Sequence, residues 1–247
     1  MDDVGDVAQP DETVKTGEDT AENRAEERTE GNDRVEDGEN LTYEFVPVDE
    51  EYFDDALFIG DSRTVGLYEY AGLEERAAFY CKTSLTIWDV LDKPIVKVEG
   101  QKKPVTIEEA LSQKQFGKIY LMVGINELGR GDVDQFMEQY RKVVERIRQL
   151  QPDAIVFVEG IMRVAGEKDA SDAIFNNTNI NVRNEQIALL ADNRDIFYID
   201  VNEAVCDEEG NLRAEYTFDQ IHLKAAYYEI WKEFLLQHGI VRTDKNP

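Results

Sequence analysis

Residues 56–63 read Ala56-Leu57-Phe58-Ile59-Gly60-Asp61-Ser62-Arg63. Four apolar residues lead straight into Gly60-Asp61-Ser62. A run that is apolar throughout, with no polar alternation, marks a strand covered on both faces, as in a parallel sheet. The polar residues that follow sit where such a strand ends. Similar runs recur along the chain at 77–81 (Ala77 to Cys81), 118–124 (Lys118 to Gly124, the clearest), 154–160 (Ala154 to Gly160) and 196–201 (Ile196 to Val201). Amphipathic stretches separate them. Phe136, Tyr140, Val143, Ile147 and Leu150 recur at helical spacing, and Gln151-Pro152 ends that helix. A second helix is expected over 176–192 with Ile180, Ile187 and Leu190 inward. A last one carries Leu223, Ala226, Tyr227, Ile230, Trp231 and Phe234. Residues 93–106 read as a small β-hairpin insertion turning near Gly100, with a short helix at about 107–115. Strand–helix alternation of this kind predicts an α/β fold: a three-layer αβα sandwich around a doubly wound parallel sheet.

Composition bounds what the fold can do. The chain has 247 residues and a net charge of −26, from 53 acidic and 27 basic residues. Such a surface repels phosphate backbones and anionic lipid, so nucleic-acid and membrane-surface partners are set aside. No apolar run is long enough to span a bilayer. Residues 1–40 hold 15 acidic and 4 basic residues and no aromatic. They lack the apolar surface that offsets ordering entropy, so 1–45 reads as an acidic disordered tail and 46–247 as the folded domain. The tail is read as a segment of a longer extracellular or cell-surface protein whose secretion signal or anchor lies upstream; cytoplasmic residence is the alternative. Cys81 and Cys206 imply neither a disulfide framework nor a metal site, and no cofactor is expected.

Ligands of open parallel sheets bind outside the carboxyl ends of the strands. There stand Asp61 and Ser62 after the first strand, Lys82, Thr83 and Ser84 after the second, and Ile125, Asn126 and Glu127 after the third. Asp219 and His222 are expected just before the final helix. A serine hydroxyl needs a base to act as a nucleophile. The chain has two histidines, and His238 falls on the last helix, where a structural role suits it better. Asp219 precedes His222 by three residues, so one short turn can present both side chains together, the carboxylate holding the imidazole. Asn126, with the backbone N–H groups of Ser62 and Ser84, can donate to a developing oxyanion. Each of these residues also has a plainer reading. Ser62 or Asp219 can simply cap a helix, and Asn126 can tie down a loop. Arg63 and Arg130 can bind a substrate carboxylate or phosphate, but such arginines more often make surface ion pairs; Tyr227, Tyr228 and Trp231 read as core packing rather than a sugar platform.

Three blocks together carry a resemblance. Phe58-Ile59-Gly60-Asp61-Ser62-Arg63 resembles the Gly-Asp-Ser block of the SGNH (GDSL) hydrolase superfamily. Gly124-Ile125-Asn126-Glu127 resembles its Gly-x-Asn-Asp block, and Asp219-Gln220-Ile221-His222 its Asp-x-x-His block. They occur in the family's order over roughly residues 50–240. The resemblance implies a flavodoxin-like three-layer fold and metal-independent serine esterase or acyl-transfer chemistry. It makes Ser62 the nucleophile, His222 the base, Asp219 its partner and Asn126 an oxyanion donor. Two departures stand out. Glu127 replaces the block's Asp, and Lys82-Thr83-Ser84-Leu85-Thr86 holds no glycine where the family's second block supplies one; Ser84 is the best match. The expected function is hydrolysis of a small acyl ester, such as acetyl, on a carbohydrate. An acyltransferase with the same site, and a non-catalytic glycan- or peptide-binding module on the same fold, are the alternatives.

Overall fold

A computed structural model describes residues 42–242; the expected acidic tail lies, up to residue 41, outside the described residues. Five parallel strands form the central sheet: β1 (Ala56–Gly60), β2 (Ala78–Cys81), β5 (Lys118–Met122), β6 (Ile155–Glu159) and β7 (Ile196–Ile199), in the order β2-β1-β5-β6-β7. The chain winds outward from β1 in both directions, so the topological switch lies between β1 and β5. β3 (Pro94–Val96) and β4 (Val105–Thr106) make the separate antiparallel hairpin, turning through Gly100 at φ 80°.

Strand side chains alternate between two apolar layers. Leu57, Ile59, Ile119, Leu121, Val156 and Val158 join the layer under α2 (Ile107–Gln113), α3 (Val133–Leu150) and α5 (Asn177–Ala188). Phe58, Tyr120, Met122, Phe157, Phe197 and Ile199 join the layer that contains Leu67 of α1 (Ser62–Tyr70), Val205 of α6 (Asn202–Val205) and Trp231 of α7 (Tyr228–Leu236). In that second layer the ladder register stacks Phe79, Phe58, Tyr120 and Phe157 across four adjacent strands, with centroids 4.9, 4.5 and 4.5 Å apart. Phe197 of the fifth strand follows at 5.9 Å, tilted. Offset aromatic contacts at this spacing add about 0.5–1.5 kcal/mol each to burial.

Each expected strand is present: the first keeps its expected bounds, and the other four are shorter by one or two residues in all. The helices differ more. The helix over 176–192 stops at Ala188, and short α4 (Gly166–Ser171) and α6 were not anticipated. The last helix does not reach Leu223. Helix α7 starts at Tyr228 behind a 3-10 turn at Ala225–Tyr227, and Leu223 instead bridges to Thr217. Asp219 and His222 therefore sit in a loop pinched shut by that bridge, just ahead of the 3-10 turn that leads into α7. Near the two ends of the described chain, Val46 exchanges backbone hydrogen bonds with Gly239, and Tyr43 N–H donates to the Asn193 carbonyl. Among the described residues no helix is long and apolar enough to cross a membrane.

Helix α1 packs against α7 without a spacer at Gly66, where a methyl group would overlap the buried Tyr228 ring. Gly66→Ala should lower unfolding free energy by about 1–3 kcal/mol through overpacking. A urea titration followed by far-UV circular dichroism reads this directly.

Candidate active site

The sheet brings the site together through register. Gly60 lies opposite Cys81 on one side and Met122 on the other, so the loops leaving β1, β2 and β5 start abreast. Gly60 has no room for a side chain, since a Cβ would run into Thr64 and the Met122 carbonyl.

Asp61 caps α1 by accepting from the Arg63 N–H at 3.0 Å. Ser62 is thereby relieved of capping, and its hydroxyl meets the His222 ring instead, Oγ to Nε2 at 2.8 Å. The other ring nitrogen, Nδ1, lies 2.7 Å from Asp219 Oδ2. Asp219 Oδ1 accepts from the backbone N–H groups of His222 at 2.8 Å and Ile221 at 3.0 Å. Burial acts to raise the Asp219 pKa, but these donors and the imidazole outweigh it and hold the carboxyl down at about 2. An ionised acceptor on Nδ1 fixes Nδ1 as the protonated nitrogen and leaves Nε2 to accept from Ser62.

Two residues outside these three shape the site. Arg63, read from sequence as a surface ion-pair residue, is buried at 1% exposure. Its Nε and Nη2 donate to the Ile221 carbonyl at 3.3 and 3.2 Å. A side chain next to Ser62 thus grips the backbone between Asp219 and His222. Glu127, the departure from the family's Asp, is fully buried. Its Oε1 accepts from the Ile87 N–H at 2.5 Å, while the neighbouring Asn126 donates Nδ2–H to the Leu85 carbonyl at 3.1 Å. Two consecutive residues after β5 therefore clip the segment that follows Ser84. That bond uses one of the two Asn126 amide hydrogens.

Ser84 itself takes the third position of a turn closed by Leu85 N–H to the Lys82 carbonyl at 3.0 Å, with φ 62°. That is left-handed backbone, the conformation glycine supplies most cheaply. Ser84 thus stands in a backbone region that glycine favours. Periodicity and spacing could not reveal the buried roles of Arg63 and Glu127. The one available signal for Glu127 was a charged residue directly after the strongest apolar strand.

Known proteins share this fold. The model of the GDSL-like Lipase/Acylhydrolase family matches residues 58–230. The chain belongs to that family. A search of curated proteins returned no match. Among solved structures, one from Streptococcus pneumonia aligns with a TM-score of 0.58 at 21% identity, covering 73% of this chain and 81% of the other. A GDSL-like lipase from Bacteroides thetaiotaomicron aligns at 0.56 and 15% identity, over 77% and 89%. A mutant of Axe2, an acetyl-xylooligosaccharide esterase from Geobacillus Stearmophilus, aligns at 0.52 and 17% identity, over 76% and 96%. At these identities the likeness establishes the shared SGNH hydrolase fold.

Two buried acids give the chain a measurable pH signature. Burial raises the pKa of Glu127 to about 8, with the Ile87 N–H opposing and Asp61 assisting, and raises Glu159, which accepts from Trp231 Nε1 at 3.2 Å, to about 8 as well. Both folded-state values exceed the unfolded value near 4.5. Between the two the native state binds more protons, so the contribution is complete below pH 4.5 and is lost as pH climbs to about 8. The melting temperature should fall over that interval, and Glu127→Gln or Glu159→Gln should each flatten the slope in calorimetry. Ser84→Gly should raise unfolding free energy by about 1 kcal/mol, since it removes the left-handed penalty.

Proposed function

We propose that the chain is a serine esterase that hydrolyses a small acyl ester, such as an acetyl group, on a carbohydrate. The observation that carries the chemistry is the unbroken chain Ser62 Oγ–His222–Asp219 at 2.8 and 2.7 Å. In this reading His222 Nε2 takes the hydroxyl proton as Ser62 Oγ attacks the ester carbon. The carbonyl oxygen becomes an oxyanion and is met by the Ser62 and Ser84 N–H groups and the free Asn126 amide hydrogen. As the first helical residue, Ser62 has an N–H with no intrahelical acceptor, which leaves it available. Collapse breaks the bond to the alcohol oxygen, and that oxygen receives the proton from His222. Water, deprotonated by the same ring, then attacks the acyl-serine, and Ser62 leaves with the proton restored. Donors poised where charge develops contribute about 2.7–4 kcal/mol each to such steps.

The alcohol side of the reading has separate support. The His222 and Asp219 side chains are 37% and 55% exposed, so this end of the Ser62–His222–Asp219 chain faces an open rim. An open rim suits a small acyl group on a large alcohol better than a long acyl chain. Axe2, a fold neighbour, is described as an acetyl-xylooligosaccharide esterase. An extracellular or cell-surface setting accords with a polymeric glycan substrate.

Ser62→Ala should reduce kcat/KM for p-nitrophenyl acetate by roughly 10³-fold or more, with its fold intact by circular dichroism. It should also abolish labelling by a fluorophosphonate probe. Equal rates in wild type and Ser62→Ala would remove Ser62 from the reaction.

A further inference from the structure

A cavity of about 420 Å³ lies beside the segments that carry two of the three oxyanion candidates, Ser84 and Asn126, and the chemistry proposed above does not use it. Trp88, Arg130, Gln135, Glu138, Gln139 and Lys142 line it. The Arg130 guanidinium carbon sits 4.7 Å from the centroid of the half-buried Trp88 ring. The buried Glu127 braces both residues. Its side chain holds the Ile87 N–H, one residue before Trp88, and its carbonyl accepts from the Arg130 N–H at 2.9 Å. Trp88 follows Ser84 by four residues and Arg130 follows Asn126 by four. Four residues of extended chain span at most about 14 Å, so the cavity is within reach of an oligosaccharide bound across the site.

The lining indicates what the cavity takes. Lys142 is committed to Glu138 at 2.6 Å, and Gln135 Oε1 accepts from the Asp132 N–H at 3.3 Å. Arg130 makes no ion pair among the described residues, in a chain carrying 53 acidic side chains. A guanidinium stacked on an aromatic face keeps a fork of in-plane donors matched to a carboxylate. Apart from the indole, every named lining side chain is polar, which disfavours an alkyl chain. An indole face combined with amide and guanidinium donors suits a pyranose ring with a charged substituent.

We propose that this cavity is a subsite for an acidic sugar. The carboxylate of a uronic-acid residue pairs with Arg130, its ring lies against Trp88, and Gln135 and Gln139 meet its hydroxyls. The inference rests on the carbohydrate-esterase reading and narrows it to acylated acidic glycans. It also accounts for how so acidic a chain engages an anionic polymer: the Arg130 guanidinium, which makes no ion pair among the described residues, supplies the cation.

The chain's two tryptophans make the test direct, because Trp231 is fully buried and ligand-induced fluorescence changes report Trp88. Titration of the full chain with trigalacturonate should give a saturable change, with xylotriose at least about tenfold weaker. Arg130→Gln should weaken trigalacturonate binding by about tenfold and leave the weak xylotriose binding as it was. Salt at about 0.5 M should do the same to the wild type, a control that needs no variant to fold. In turnover, the preference of wild type for acetylated polygalacturonate over acetylated xylan, as a ratio of kcat/KM, should fall about tenfold in Arg130→Gln. Equal binding of the two trisaccharides, or trigalacturonate binding indifferent to both salt and Arg130→Gln, overturns the subsite. Selective trigalacturonate binding by a wild type that neither cleaves p-nitrophenyl acetate nor reacts with the fluorophosphonate sinks the esterase reading and leaves the subsite standing.

Discussion

The parallel pairing of β1 with both β2 and β5 is the constraint from which the rest of the rim follows. Because Gly60 is level with Cys81 and Met122, the residues just past each strand emerge at one height. Hydrogen-bonded ladders do not slide by fractions of a residue, and a one-residue slip would turn every side chain to the opposite layer. The apolar layers on the two faces therefore lock the rim as firmly as they lock the core. The aromatic row through Phe79, Phe58, Tyr120 and Phe157 is the visible form of that lock, one ring from each of four neighbouring strands.

On that fixed rim, polar contacts do the fine placement. Asp61 takes the helix cap and leaves the Ser62 hydroxyl free for the imidazole. Arg63 holds the loop that carries Asp219 and His222 by its backbone, so substitutions of the side chains there need not disturb the grip. Asn126 and Glu127 hold the segment beyond Ser84 in the same manner. Loops without regular structure are thus tied by groups belonging to residues adjacent to Ser62 or to the end of β5. Burying such polar groups is costly unless each finds a partner. Glu127 meets that cost by holding its proton to an unusually high pH.

The layered fold could be read in the sequence because a buried parallel strand is an unbroken apolar run, and five such runs are present. Ser62, Asp219 and His222 could be singled out because only one histidine has an acid at turn spacing and only one serine follows Gly-Asp at a strand end. What could not be read depends on side-chain direction and on local backbone pairing. Arg63 looks like any surface arginine until the fold turns it inward. Leu223 fits the helical spacing of the residues after it, yet its backbone pairs with Thr217 and delays the helix to Tyr228. Ser84 lacks the glycine expected by resemblance, but backbone conformation is set by the turn and its clips, and a serine tolerates the left-handed region at modest cost.

The bond between Ser62 and His222 joins positions 160 residues apart. During synthesis the hydroxyl leaves the ribosome long before the imidazole exists, and the Arg63 grip on Ile221 waits equally long. A nascent chain can pair β1 with β2 and β5 early, yet its Ser62 has no imidazole partner until nearly the whole domain has been made. The contact is thereby deferred to the end of synthesis, and a product terminated before residue 222 lacks the imidazole altogether.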